Sequence, residues 1–291
     1  MLKNVFRISF LLFSVAISGY PLIAQEIKEP QNTPPEWSKP YEPFQIAGNL
    51  YYVGTHDLAC YLITTPEGNI LINTGLAASA PLIQVNIEAL GFKFSDIKIL
   101  LTTQAHYDHM GAMATIKSQT GAKMMVDAKD AAVMAEGGKS DYALGGVRTY
   151  EPVIADHLLN NGDTIRLGKT KMVMLHHPGH TKGSCSFLFD VNDSRKTYKV
   201  LIANMPTIVT TKNFSEIPDY PGIAEDYSYT LDAMKNLSFD IWLASHASQF
   251  ALHTKHKSGE GYNPAAFIDR KGYDTAIGNL KNEFSKKVKN K

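Results

Sequence analysis

The sequence is poor in cysteine and has no excess of charge of either sign. Only Cys60 and Cys185 occur among its 291 residues, which is too few for a disulfide framework, and both a single pair and two free thiols are compatible with the sequence. Its 29 basic and 28 acidic residues give a formal net charge of +1. This balance does not indicate nucleic acid or an anionic membrane surface as a partner. The hydrophobic fraction of 44% is typical of a globular protein with a sizeable core.

Long hydrophobic runs are also missing, and the one apolar run near the beginning has the layout of a secretory signal peptide. Lys3 and Arg7 precede the apolar residues 8–17, and small residues follow before Ala24. This run is too short to span a bilayer permanently, so we expect cleavage after Ala24 and export to the periplasm. No cysteine stands directly after the run, where a lipid anchor would be attached.

The composition predicts three successive parts of the chain. Residues 1–24 form the signal peptide, residues 25–43 are rich in proline and polar residues and predict an extended arm, and residues 44–291 form a single domain. We expect this domain to be a monomer.

The apolar pattern predicts strands and helices in two similar halves. In the first half, strands are expected at residues 50–53, 60–64, 70–72, 97–101 and 123–126, and helices at 79–91, 113–118 and 128–135. In the second half, strands are expected at residues 164–167, 171–176, 184–189, 198–203 and 241–244, and helices at 224–236 and after Pro264. Two such halves are compatible with two sheets packed face to face with helices outside.

The strongest chemical signal lies in the six residues from Gln104 to His109, directly after a predicted strand. They include two imidazoles, one carboxylate and one amide. In an extended segment, Gln104, His106 and Asp108 would alternate onto one side while His109 points elsewhere, so the cluster could serve two adjacent metal ions. Imidazole and carboxylate donors suit zinc. The alternative is a polar surface loop, which two histidines and an aspartate within four positions disfavour.

Two further histidines also follow predicted strands. His180 comes after the turn-forming pair Pro178 and Gly179, and His246 follows the strand at residues 241–244. Catalytic zinc usually has three protein ligands and a position for water, so distant donors are needed. Of His176 and His177, we expect one to pack and the other to hydrogen-bond a metal ligand. The remaining histidines are expected to be solvated: His56, His157, His253 and His256.

These residues together resemble the metallo-β-lactamase superfamily over nearly all of the mature chain. The usual fingerprint there has His where Gln104 stands, followed by His-x-Asp-His. More narrowly, the sequence resembles the third subclass of class B β-lactamases and its GOB type, in which Gln replaces that first His. The resemblance implies an α/β fold, an αββα sandwich, with one or two zinc ions. It also implies two zinc sites, a first site of Gln104, His106 and His180 and a second site of Asp108, His109 and His246.

The implied activity is zinc-dependent hydrolysis of the β-lactam ring of penicillins, cephalosporins and carbapenems, which confers antibiotic resistance. Zinc lowers the pKa of bound water to about 7, and the resulting hydroxide attacks the lactam carbonyl. Asp108 is then both a ligand and the residue that orients the nucleophile. Thr207 matches a hydroxyl that contacts the substrate carboxylate in this subclass, and Met205 is expected to line the pocket.

Departures from the superfamily pattern keep two other functions open. Hydrolases of thioesters and lactones usually carry an aspartate that bridges both metals where this chain has Asn204, which disfavours a lactonase or thioesterase. Gln104 is a weaker, neutral donor than His, so a non-catalytic zinc-binding protein is the other alternative. Asn73 stands where the superfamily usually has Asp, and it is either a hydrogen-bonding residue beneath the metal loop or a turn residue before Gly75.

Overall fold

Short, continuously apolar strands form the centre of the structure, a computed structural model that describes residues 27–289. In this range the strands are β1 (Phe44–Ala47), β2 (Leu50–Tyr52), β3 (Tyr61–Thr65), β4 (Gly68–Ile72), β5 (Ile97–Leu101), β6 (Lys123–Asp127), β7 (His157–Leu159), β8 (Thr164–Leu167), β9 (Thr170–His176), β10 (Cys185–Asn192), β11 (Thr197–Ala203) and β12 (Ile241–Ala244). The helices are α1 (Ala80–Ala89), α2 (Tyr107–Met110), α3 (Met113–Thr120), α4 (Ala131–Ala135), α5 (Ile223–Lys235), α6 (Leu252–Lys255) and α7 (Arg270–Lys289).

The strands form two sheets. The first has the order β1-β2-β3-β4-β5-β6-β7, antiparallel from β1 to β4 and parallel from β4 to β7. The second has the order β12-β11-β10-β9-β8, in which β12 and β11 are parallel and the other neighbours are antiparallel. These two sheets confirm the predicted α/β fold, the αββα sandwich.

Alternate residues of the central strands are buried in two different layers. In β4, Ile70 and Ile72 belong to the core between the sheets together with Phe187 of β10. Leu71 points to the opposite face and is buried with Ile87 of α1. Because both faces of such a strand are buried, its sequence is an unbroken apolar run rather than an alternating pattern.

Helices α5 and α7 lie against the second sheet. Tyr273 of α7 is fully buried and contacts Trp242 of β12 edge-on, with ring centroids 5.4 Å apart. Tyr227 of α5 is also fully buried, with its ring centroid 6.2 Å from that of Phe284 in α7. The helix predicted after Pro264 is therefore confirmed as α7. Among residues 27–289, no helix is both long and apolar enough to cross a membrane.

Two local predictions differ from the structure. Strands β1 and β7 are not evident from the sequence because both are short and β7 exposes His157 and Leu158. The helix expected from residue 128 begins only at Ala131, because residues 127–130 form a turn in which Asp127 Oδ1 accepts a hydrogen bond from the backbone N–H of Lys129. Of the two alternatives left open for the cysteines, the structure has two free thiols, and both are buried.

The N-terminal segment is bound to several loops of the domain and is less free than an extended arm would be. The predicted signal peptide, residues 1–24, lies outside the described residues. From residue 27 onward the chain is attached at several points, since Thr149 N donates to Lys28 O at 3.1 Å and Ala77 N donates to Glu29 Oε1 at 2.7 Å. Residues 35–37 form a 3-10 turn, and Trp37 Nε1 donates to Asp57 Oδ2 at 3.1 Å. The proline-rich composition gives no sign of these distant partners.

Candidate metal centre

All six predicted ligands lie in the loops that follow strands β5, β9 and β12, with Asp108 and His109 in the short helix α2 within the first of these loops. The loops meet around Thr103, whose carbonyl accepts from the backbone N–H of Cys185 and from Asn204 Nδ2, each at 2.9 Å. Thr103 Oγ1 also shares a hydrogen bond of 2.8 Å with Ser245 Oγ, next to His246. The residues after the strand ends are therefore held together at one edge of the sandwich.

The second site is a compact cluster of three donors. One ligand atom from each of Asp108, His109 and His246 lies within 4.8 Å of the others. Asp108 Oδ2 is 3.3 Å from His109 Nε2 and 3.4 Å from His246 Nε2. The structure thus brings together all three residues predicted for this site.

The first site lies beside the second in the same cavity. The rings of His106 and His180 meet edge-on with centroids 4.9 Å apart, and Gln104 lines the same cavity. Gln104 Oε1 is 3.5 Å from Asn204 Nδ2, which donates to it. A carbonyl oxygen has two lone pairs, so this contact leaves Gln104 able to face a cation as well.

The prediction of an extended segment from Gln104 to His109 is wrong. Helix α2 begins at Tyr107, and the backbone N–H groups of His109 and Met110 both donate to His106 O at 3.0 Å. Gly111 ends this turn in close contact with the chain before α1, where an added Cβ would lie 2.4 Å from Ala77 N. The separation of Asp108 and His109 from His106 therefore comes from a helical turn, not from strand alternation.

Each of three histidines is oriented through one ring nitrogen. His180 Nδ1 contacts Thr207 O at 2.8 Å, and His246 Nδ1 contacts Asp57 Oδ2 at 3.1 Å. On His106 it is Nε2 that lies near a partner, 3.4 Å from Asp141 Oδ2. Such contacts fix which nitrogen carries the proton and leave the other free to bind a metal.

The two sites differ in their charge. Burial lowers the pKa of the His180 imidazole to about 3, so this ring is neutral at pH 7. Burial also disfavours charge on His246, but its contacts with Asp108 and Asp57 outweigh burial and raise the pKa of His246 to about 9. Burial would raise the pKa of Asp108, yet the neighbouring His109 and His246 hold it well below its ordinary value. Asp108 is therefore an anion, and metal binding by His246 must release a proton.

The donors fit zinc by their chemistry and by their unsatisfied atoms. Nδ1 of His109 is buried without a hydrogen-bond partner among the described residues, and its Nε2 has only the 3.3 Å contact with Asp108 Oδ2. Buried polar groups normally have partners, so such atoms indicate a missing one. A carboxylate oxygen with imidazole nitrogens is a typical zinc ligand set.

Asn73 holds the loop that carries the donors. Its Oδ1 accepts from Thr103 N at 3.0 Å and from Thr103 Oγ1 at 3.2 Å. Its φ is +62°, in the left-handed region, which Asn tolerates better than most residues. Asn73 therefore fulfils both alternatives: its side chain holds the loop by hydrogen bonds, and its backbone forms the turn before Gly75.

The two predicted substrate residues line a cavity of about 260 Å³ above the donors. Met205 is buried in its wall, and Thr207 is half-buried there. Trp37 and Arg148 also line this cavity. Neither residue was identified from the sequence, because both lie far along the chain from the predicted ligands.

The other histidines differ in part from their predictions. His176 Nδ1 pairs with Asp127 Oδ2 at 2.6 Å, and His177 Nδ1 pairs with Ser186 Oγ at 2.7 Å. Neither ring nitrogen makes a hydrogen bond to a predicted metal ligand in these contacts. His157 is exposed, as expected. The other three expected to be solvated instead stack on rings: His56 on His253 with centroids 3.9 Å apart, and His256 on Phe44 at 3.7 Å.

Gln104→His is expected to strengthen zinc binding at the first site by roughly tenfold, the scale of change that partners of zinc ligands produce. The reason is that an imidazole is a stronger donor than a neutral amide. Titration with a competing chelator would measure both zinc constants. Gln119→His, on the exposed face of α3, serves as the control. An unchanged first-site constant in Gln104→His would count against Gln104 as a ligand.

Comparison with known proteins identifies the family of the chain. A family model of the metallo-β-lactamase superfamily matches residues 54–193. A class B3 di-zinc metallo-β-lactamase, LRA-12 from an Alaskan soil metagenome, is 68% identical, with a TM-score of 0.89 over 90% of this chain and 100% of that one. The metallo-β-lactamase GOB-18 from Elizabethkingia meningoseptica is 55% identical, with a TM-score of 0.91 over 92% of this chain and 100% of that one.

Curated relatives are more distant. A hydroxyacylglutathione hydrolase from a Bradyrhizobium species is 26% identical over 132 residues, which are 45% of this chain and 43% of that protein. The chain thus spans less than half the length of this relative.

Proposed function

Because this chain belongs to the metallo-β-lactamase superfamily, and within it to the class B3 enzymes, we propose that it hydrolyses β-lactams with zinc. Its substrates are penicillins, cephalosporins and carbapenems, and the activity confers antibiotic resistance. The observation that carries the proposal is the cluster of Asp108, His109 and His246 beside His106 and His180 at the base of an open cavity. In this proposal the second site binds one zinc ion and the first site, with Gln104, binds another.

Zinc held by these residues supplies a Lewis acid and lowers the pKa of water to about 7. Among the described residues that line the cavity, Asp108 is the acidic one, and its low pKa keeps it anionic at neutral pH. It is therefore placed to ligate metal and to accept a hydrogen bond from the attacking water, which orients that water toward the lactam carbonyl.

The cavity wall is suited to an anionic bicyclic substrate. Arg148 is exposed at the cavity and brings a positive charge to it, which favours approach of the carboxylate that these antibiotics carry. The Thr207 hydroxyl provides a hydrogen-bond donor for the same group, while its backbone carbonyl holds His180. Met205 supplies an apolar surface for the rings of the substrate.

Asn204 argues against a thioesterase or lactonase. Its Nδ2 donates to Thr103 O at 2.9 Å and faces Gln104 Oε1 at 3.5 Å. The side chain therefore supports the metal loop as a neutral donor and provides no anionic oxygen to bridge two metals. This arrangement supports β-lactam hydrolysis as the better assignment.

A direct test of the proposal is to offer the protein one penicillin, one cephalosporin and one carbapenem and to monitor ring opening by the loss of lactam absorbance. The same preparation should be offered a hydroxyacylglutathione thioester and a simple lactone. We expect turnover of the β-lactams and little turnover of the other two. Thioester hydrolysis without β-lactam hydrolysis would overturn the proposal, and the absence of all turnover with zinc bound would favour a non-catalytic zinc-binding protein.

We also propose that the protein acts as a periplasmic monomer of one domain after removal of residues 1–24. The basic residues Lys3 and Arg7 before a short apolar run support export. Mass spectrometry of the protein recovered from the periplasm should show Gln25 as the first residue, and light scattering should give the mass of one chain. A retained leader or a dimer mass would contradict the respective part of this proposal.

A further inference from the structure

We propose that Asp141 is the positioning residue of the first site, with one carboxylate oxygen orienting His106 and the other holding the loop that carries the Leu144 wall of the cavity. Zinc binding at the first site and the order of that wall are then coupled. This inference rests on the proposed role of His106 as a zinc ligand.

The Asp141 carboxylate lies between the ligand and the loop. Its Oδ2 is 3.4 Å from His106 Nε2, and its Oδ1 accepts from the backbone N–H groups of Ala143 and Leu144 at 2.9 and 2.7 Å. Asp141 is 9% exposed and His106 is 3% exposed, so solvent screens this contact little. His106 Nε2 has no other polar partner among residues 27–289.

This placement determines which nitrogen of His106 can bind metal. A carboxylate beside Nε2 favours the proton on that nitrogen and leaves Nδ1 as the free donor. A carboxylate partner of this kind increases the basicity of an imidazole ligand. This higher basicity of His106 strengthens the first site, where Gln104 supplies only a neutral amide.

The same carboxylate supports one wall of the cavity. Leu144 and Arg148 line the cavity. The turn of residues 141–145, which carries Leu144, is closed by a hydrogen bond of 3.0 Å from Gly145 N to Asp141 O. The neighbouring Tyr142 donates its hydroxyl proton to His180 O at 3.2 Å. The loop therefore contacts two proposed ligands of the first site and none of the second among the hydrogen bonds described. Because the first zinc site and the cavity wall share this loop, zinc binding and the order of the wall influence each other in both directions.

Another buried carboxylate nearby has a different role. Asp130 accepts from Ala105 N at 3.0 Å, Thr181 Oγ1 at 2.6 Å and Gly183 N at 2.7 Å. These bonds tie two loops together without contact to a ligand side chain. Asp141 is thus the carboxylate that can transmit a change at His106 to the cavity wall.

Asp141→Asn tests the proposal with little change in size. The asparagine Oδ1 still accepts from the backbone N–H groups of Ala143 and Leu144, but its NH₂ group is a donor and cannot accept a hydrogen bond from His106 Nε2. We expect the first-site zinc affinity to fall at least tenfold in a competing-chelator titration, as for other partners of zinc ligands. The second-site constant should be unchanged, which also shows that the variant is folded.

Hydrogen exchange separates this role from a merely structural one. In the unsubstituted protein, protection of the Ala143 and Leu144 amides should rise when the second equivalent of zinc is added, and this rise should be absent in Asp141→Asn. A structural role would lower protection equally with and without zinc. The control is Asp156→Asn, since Asp156 also accepts a backbone hydrogen bond, from Met124 N at 2.7 Å, but pairs with Lys117.

Either of two results would overturn the proposal. One is an unchanged first-site constant in Asp141→Asn, and the other is amide protection that does not respond to zinc in the unsubstituted protein. Failure of the proposed function has a different signature, namely two intact zinc sites with no β-lactam hydrolysis.

Discussion

Asp108→Ala should abolish β-lactam hydrolysis and weaken zinc retention at the second site. The substitution removes the anionic ligand of that site and the group that orients the attacking water. A metal ion contributes several kcal/mol of transition-state stabilisation, so we expect the turnover number to fall by about 1,000-fold or more. The second site, with one carboxylate and two imidazoles, should also bind zinc more tightly than the first in the unsubstituted protein.

Zinc content by mass spectrometry and steady-state hydrolysis of a carbapenem together check this result. Asp232→Ala is a suitable control because Asp232 is an exposed carboxylate of α5 that pairs with Lys281 at 2.9 Å, away from the cavity. The control should keep its activity and its zinc. Full activity and full metal content in Asp108→Ala would refute the assignment of Asp108.

Asp57→Asn should lower zinc affinity at the second site by about 10- to 100-fold, the range found for carboxylates that orient ligand histidines. Asp57 Oδ2 contacts His246 Nδ1 at 3.1 Å, and Oδ1 accepts from Ser248 N at 2.9 Å. Burial would raise the pKa of Asp57, but these contacts hold it well below its ordinary value. An asparagine loses the charge and one acceptor, so the His246 ring is less well oriented.

The control for Asp57 is Trp37→Phe. Trp37 donates to the same Oδ2 at 3.1 Å, and its ring lies 5.4 Å from that of His246. Phenylalanine keeps an aromatic ring and removes only the N–H donor, so we expect a much smaller change in zinc affinity. Equal losses in the two variants would mean that Asp57 acts by holding Trp37 and not by orienting His246.

Five of the six proposed ligands were predictable from the sequence because they follow β5 or β12, which are short apolar strands. The strand expected at residues 97–101 is β5, and the strand expected at residues 241–244 is β12. The buried position of these strands requires apolar residues on both faces, so polar residues directly after them stand out. The resemblance to a known family then supplied the fold and the two ligand sets.

The residues that orient the ligands were not predictable in the same way. Asp57 lies 189 positions before His246 in the chain, and it belongs to no recognisable motif. Asp141 is likewise a single aspartate in a loop of glycine and polar residues. Only the tertiary fold brings such carboxylates to the imidazoles. The helical turn at Tyr107 was missed for a related reason, since it depends on the contact of Gly111 with the chain before α1.

The most direct test is to remove zinc from the purified protein and then to restore it. Hydrolysis of a carbapenem should be measured after dialysis against a chelator and again after stepwise addition of zinc. We expect activity to fall to the background rate and to return with zinc but not with magnesium, whose preferred oxygen ligands the imidazoles do not supply. Unchanged hydrolysis by protein shown to be free of zinc would contradict zinc-dependent β-lactam hydrolysis.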